Sequence, residues 1–207
     1  MKLKTELKQP YTDKERMDFI VEQNHKLGYE ITETDKALQA WGYTEEEIQE
    51  QERERLNNIS MTRGDVFEAL ILAKGLGKAQ IRAMIEQAEL DTITKALYLN
   101  RFDEALEFYR GYPIFDMLGQ ALGITGEMLD KFFETKDYHY LTTCKLTINP
   151  TPANAIVTIE PNPTPYGETA HYRVECEGYV AKEGDIEMIK DEVLEIVLDE
   201  NTTDTAE

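Results

Sequence analysis

The chain has 207 residues, room for one medium domain or two small ones, each with a modest core. Its 41 acidic and 22 basic side chains give a net charge of -19, a field that repels phosphate backbones and anionic lipid and so argues against nucleic-acid and membrane partners. No apolar run approaches the ~20 residues of a membrane span, and MKLKTELKQP leads into no apolar segment of an export signal, so a soluble chain is expected.

Residues 1–10, ending at Pro10, read as an extended or frayed lead-in. Thr12 followed by Glu15 spells a capping box, and the spacing of Met17, Ile20, Val21 and Asn24 predicts a helix from Asp13 to about His25, with Gly28 turning the chain. The short segments 29–31 and 38–41 suit a small hairpin. Thr44 and Glu47 repeat the capping signature, and the glutamates at 45–47 favour the positive end of a helix dipole. That helix is polar around its middle, with Ile48, Leu56 and Ile59 on a thin apolar face. It reads either as a solvated spacer or as an element packed against a partner chain.

From Met61 to Asp137 the pattern is a series of short helices punctuated by glycine. Thr62 caps a segment bearing Val66, Phe67, Leu70 and Ile71. Lys78 to Glu89 places Ile81, Met84 and Ile85 at helical spacing, so the two segments should form a helical hairpin. Asp91 caps a third segment that continues through Phe102, Ala105, Leu106 and Tyr109 to Gly111. Pro113 opens the next, and Thr125 caps the last, which carries Met128, Leu129, Phe132 and Phe133. The aromatics all have helical spacing and read as core.

After Asp137 the character changes to strands. Alternating β-branched runs at 146–148, 156–159, 171–176, 186–189 and 193–198 are separated by turn signals. The stretch 161–167, ProAsnProThrProTyrGly, reads as a loop excluded from a sheet interior. The tail from Asn201 has nothing to bury and reads as mobile. The fold class expected is α+β in two domains: a small orthogonal helical bundle followed by an antiparallel Ig-like β-sandwich. The expected divisions are 1–44 for an N-terminal arm, helix and hairpin, 45–138 for the bundle, 141–200 for the β-domain and 201–207 for an acidic tail.

Each motif has a simpler structural explanation than a chemical one. ArgGlyAsp at 63–65 begins a helix, where Asp65 suits the dipole. LysGlyLeuGlyLys at 74–78 lacks the preceding strand and the Lys-Ser/Thr ending of a phosphate loop. His25, His139 and His171 are scattered, and Cys144 and Cys176 lack the close spacing of a zinc site. The two cysteines read as buried thiols, with a single bridge left open in an oxidising compartment. No catalytic, cofactor or metal site is assigned. The candidates for partner contact are Ile48, Leu56 and Ile59 on the polar helix and Tyr166, Tyr172 and Tyr179 in the β-part. Aromatics on sandwich loops can stack on sugars or protein partners, whereas a Gly-Tyr pair in a β-domain more often forms a structural corner.

Two resemblances add to this. YTDKERMDFIVEQNHKLGYEI, LQAWGYTEEEIQEQ, MTRGDVFEALILAKGLGKAQIRAMIEQ, RFDEALEFYRG and LGITGEMLDKFFE, together covering about residues 11–138, resemble small proteins of Firmicutes phages and prophages. These are commonly encoded with tail and late virion genes. Residues 146–198 resemble a PEGA-type β-domain. Pro152, Asn154, Ala155 and Val157 match its Pro-x-Gly-Ala-x-Val turn with Asn for Gly, and Gly178 and Tyr179 match its later Gly-Tyr. Asn tolerates left-handed backbone angles, so the turn should survive the exchange. The resemblances imply a non-enzymatic, tail-associated virion protein, assembled in the host cytoplasm, without cofactor. Its helical part would dock to the particle and its β-domain would be displayed or packed as decoration. Other virion proteins, further copies of this chain as a trimer, and a host-surface glycan are the partners this implies. A tail-fibre assembly chaperone and a carbohydrate-binding adhesion module are the alternatives.

Overall fold

A computed structural model describes residues 1–201; the expected mobile tail lies outside them but for Asn201. The chain is mixed α and β with several antiparallel sheets, and it divides into two compact units, Met1–Arg55 and Leu56 onward. The sequence places its divisions elsewhere, at 44, near 140 and at 200; the helices and the later strands here share the second unit.

The first unit is a three-stranded antiparallel sheet with one helix of its own. Strand β1 (Lys2–Lys8) takes the place of the expected lead-in, because Leu3, Thr5 and Leu7 alternate with charged residues and pair against a central strand. Helix α1 (Asp13–Ile20) starts at the expected capping box: the Glu15 amide donates to the Thr12 hydroxyl at 3.2 Å, and the Thr12 amide donates to the Glu15 carboxylate at 2.8 Å. The helix then widens into a π turn over Val21–Lys26, so the expected regular helix to His25 stops short. Its apolar stripe is not buried, and Met17 is 56% exposed. β2 (Glu30–Glu33) and β3 (Ala37–Gly42) form the expected hairpin, closed by Thr34, whose hydroxyl accepts from the amides of Lys36 and Ala37. β3 lies between β1 and β2 and buries Ala37, Leu38 and Ala40. Helix α2 (Glu45–Asn57) follows, with the Thr44 and Glu47 capping bonds at 3.2 and 2.8 Å, and the division between units falls within it.

The second unit begins at β4 (Ser60–Thr62) and continues through α3 (Arg63–Lys74), α4 (Lys78–Gln87), α5 (Thr92–Glu104), β5 (Glu107–Tyr109), α6 (Pro113–Leu122) and α7 (Gly126–Thr135). Thr62, Asp91 and Thr125 cap α3, α5 and α7 as read from the sequence, and Pro113 opens α6. Val66, Leu70, Ile81, Phe102, Phe115 and Phe133 meet in one core cluster. The third helix does not reach Tyr109. It ends at Glu104, Ala105 turns extended at ψ 136°, and Glu107–Tyr109 pairs antiparallel with β4. On this strand Phe108 points inward, at 2% exposure, between the more exposed Glu107 and Tyr109, while Leu106, in the bend before the strand, is 81% exposed.

A 3₁₀ turn, Tyr138–Leu141, leads into the strands β6 (Thr143–Cys144), β7 (Leu146–Thr151), β8 (Ile156–Glu160), β9 (Thr164–Pro165), β10 (Glu168–Glu175), β11 (Lys182–Met188) and β12 (Glu192–Val197). β10 pairs antiparallel with β11 and β8, but β12 pairs parallel with β7, which corrects the expectation of an antiparallel arrangement throughout. The chain leaves β7, builds the β8–β10–β11 sheet and returns alongside its starting strand in the same direction, a crossover that parallel pairing requires. The loop at 161–167 also contributes a short strand, since Thr164 and Pro165 pair with Cys144 and Thr143, and Thr164 is fully buried. Asn154 does not take the expected left-handed angle; Lys136 is the one non-glycine with positive φ among the described residues, and the turn closes through the Ala155 amide to the Pro152 carbonyl at 3.1 Å. Gly178 does turn left-handed, at φ 82°.

Candidate functional site

The six residues read as partner contacts separate by burial. Ile48 is 55% exposed on α2, whereas Leu56 is 8% exposed and Ile59 packs against the helical core. The thin apolar face of that helix therefore turns inward at its C-terminal end, where the chain enters β4. Tyr166, Tyr172 and Tyr179 are half-buried and all pack against the β core, and Tyr179 follows the left-handed Gly178 as a structural corner would have it. The reason is local in each case. Tyr172 points to the inner face of β10, the same side as Ala170 and Val174. Tyr179 sits in the turn after Cys176, bridged to Glu200.

Tyr166 is held by the start of the strands. Its ring stacks on His139 at 5.1 Å and meets Tyr140 edge-on at 5.3 Å, while His139 stacks on Tyr138 at 4.1 Å. Burial, with the nearby Asp137 charge adding to it, pushes the Tyr166 phenol pKa up. Asp137 accepts from the His139 amide at 3.0 Å, and this bond foremost holds its carboxyl below the ordinary value. A Lys131 to Glu168 ion pair flanks the stack. The function of this cluster is to fasten α7 to the first strands, consistent with packing as the role of the histidine between two tyrosines.

Among the described residues the most buried charge is Arg110, 3% exposed. Its Nε donates to Asp130 at 2.6 Å, Nη1 to Asp116 at 2.9 Å and Nη2 to the Gly126 carbonyl at 3.3 Å. With each edge of the fork engaged, the guanidinium ties β5 to α6 and α7 and is a structural tie. Among the described residues no group of three His, Cys, Asp or Glu is placed to hold a metal ion, and no buried side-chain nitrogen or oxygen lacks a hydrogen bond. Cys144 and Cys176 are free thiols, and burial raises the pKa of Cys144.

What the surface does offer is aliphatic side chains on outer helix faces. α3 exposes Ile71 (51%) and Leu72 (56%), while its Val66, Ala69 and Leu70 are buried. α5 exposes Ile93 (73%) and Leu97 (63%), one turn apart, while its Phe102 is buried. The sequence reading placed Ile71 on the apolar face of its helix. A wide apolar stripe at helical spacing marks one side as core, and the exposed residues lie just beyond the arc that neighbouring helices cover. No protein-family model, no curated protein and no solved structure matches this chain.

Proposed function

We propose that this chain is a non-enzymatic structural protein of a phage virion, associated with the tail. Its helices dock to neighbouring virion proteins, and its strands from β7 to β12 form an Ig-like β-sandwich that is displayed or packed as decoration. The observation that carries the docking role is the pair of outer helix faces that leave Ile71, Leu72, Ile93 and Leu97 exposed while the inner faces of the same helices are filled. Aliphatic residues adjacent on a folded surface are favourable sites for protein association. The phage assignment rests on the resemblance of residues 11–138. The sandwich reading is supported by one core, including Leu146, Ile148, Ala170, Val174 and Met188, that draws on both the β7–β12 pair and the β8–β10–β11 sheet. The protein acts as a homo-oligomer, a trimer in the tail-associated reading.

Mass spectrometry of purified virions, with copy number, tests this. The expected result is a fixed number of copies per particle. A protein abundant in infected cells yet missing from purified particles overturns the virion role and makes the chain an assembly chaperone.

A further inference from the structure

We propose that a groove along α3 is a docking site for a segment of a different protein that carries a lysine or arginine close to an aliphatic side chain. This goes beyond the virion assignment and does not depend on it.

The groove has a volume of about 280 Å³. Met61, Ala69 and Leu72 line it with apolar surface, and Lys136 and Tyr138 also border it. Asp65 and Glu68 stand three residues apart on α3, hence on one face of the helix. Among the described residues neither carboxylate makes a side-chain hydrogen bond or ion pair, and neither does the Lys136 ammonium. Apolar surface beside unpaired charges suits an amphipathic segment. Its aliphatic side chain would lie against Leu72, and its cation would meet Asp65 and Glu68.

The signs of the charges select the occupant. The α3 carboxylates oppose an acidic segment and draw a cationic one, and the chain's net charge of -19 adds to that pull. Lys136 fixes the orientation, since its ammonium repels the incoming cation from the Lys136 side and leaves it the α3 carboxylates.

The test is selection of random displayed peptides on the immobilised full chain, followed by fluorescence anisotropy with the enriched peptides. The variants are Asp65→Asn with Glu68→Gln, Leu72→Ser, and a control that removes the same charge on β11, Glu183→Gln with Asp185→Asn. The expected peptides pair Lys or Arg with Leu, Ile or Phe. Their affinity falls roughly tenfold with the α3 charge variant, as for the loss of a charge-assisted contact. It falls also with Leu72→Ser and holds with the control. Circular dichroism verifies that each variant is folded, and the exposed positions make that the expected result. The proposal is overturned if no peptide enriches, if enriched peptides lack a cation, or if the control weakens binding as much as the α3 variant. It is equally overturned if sedimentation shows the α3 variant losing self-association, which makes a second copy the occupant.

Discussion

Lys136 terminates α7 in the left-handed region at φ 61°, with its amide donating to the Phe132 carbonyl at 2.8 Å. A side chain there costs about 1–2 kcal/mol, and glycine removes that cost while adding freedom to the unfolded chain. Lys136→Gly should therefore stabilise the protein by about 0.5–1 kcal/mol, read as a rise in the urea midpoint at unchanged slope. A lower midpoint would mean that the lysine stem contributes more packing than its backbone costs. Asp91 makes a different residue-scale case. Its carboxylate caps α5, accepting from the amides of Ile93 and Thr94 at 3.0 Å, and the Thr94 bonds first among several hold its pKa below the ordinary aspartate value. A carboxylate with a depressed folded pKa stabilises the fold above its unfolded pKa, and loses that contribution as pH falls through the folded value. Asp91→Ala should accordingly lower the melting temperature at neutral pH, and the gap from the parent should close as pH drops below the ordinary aspartate range. A gap independent of pH would mean that the cap acts through shape alone.

At the scale of elements, the α6–α7 corner depends on how closely two backbones approach. A Cβ on Gly119 would lie 2.9 Å from the Ile124 carbonyl oxygen and 3.1 Å from Leu129 Cδ1, and backbone cannot give way as a side-chain tip can. Gly119→Ala should cost about 1–3 kcal/mol through overpacking, measured by denaturant unfolding; a neutral result would show that the corner can open. This constraint was invisible in the sequence, where Gly119 sits in mid-helix and reads only as a poor helix former. The helix starts were legible because a cap is local: Thr12, Thr44, Thr62, Asp91 and Thr125 each bond within their own first turn. β1 and β5 were not legible, since each owes its extended form to a partner far along the chain, β1 to Ala37–Gly42 and β5 to Ser60–Thr62. The parallel β7–β12 pair escaped for the same reason, as nothing in either strand states the direction of its neighbour. Of the α2 candidates, Ile48 and Leu56 shared one thin apolar face in the sequence, and only the fold separates them, Ile48 exposed and Leu56 buried. The tyrosines stood open between partner contact and a structural corner, because a ring on a β-strand or corner shows its face only once the register is known.

For the whole molecule, the two units differ in how well each can stand alone. The second owns two core clusters, one helical and one of strands. The first spans residues 1–55, and its buried apolar side chains are Ala37, Leu38 and Ala40, while Met17, Leu27, Tyr43 and Ile48 are exposed. A unit of that size with so small a core is marginal by itself and gains most from covering its exposed apolar side chains. For the proposed homo-oligomer, this makes the first unit, where Ile48 lies, the expected place of the contact between copies. The cut that tests it is set by the structure. Deletion at residue 60 would take away Leu56, which is buried, and Ile59, which packs in the helical core, so a loss of assembly could be a loss of folding. Deletion of residues 1–55 leaves both in place. By light scattering, the full chain should have a multiple of its 23.9 kDa mass, and the fragment from Leu56 should be a folded monomer with helical circular dichroism and a cooperative melt. A folded fragment that keeps the parent's oligomeric number would move the contact to the outer faces of α3 and α5. A monomeric full chain would remove self-association and leave those faces to other proteins.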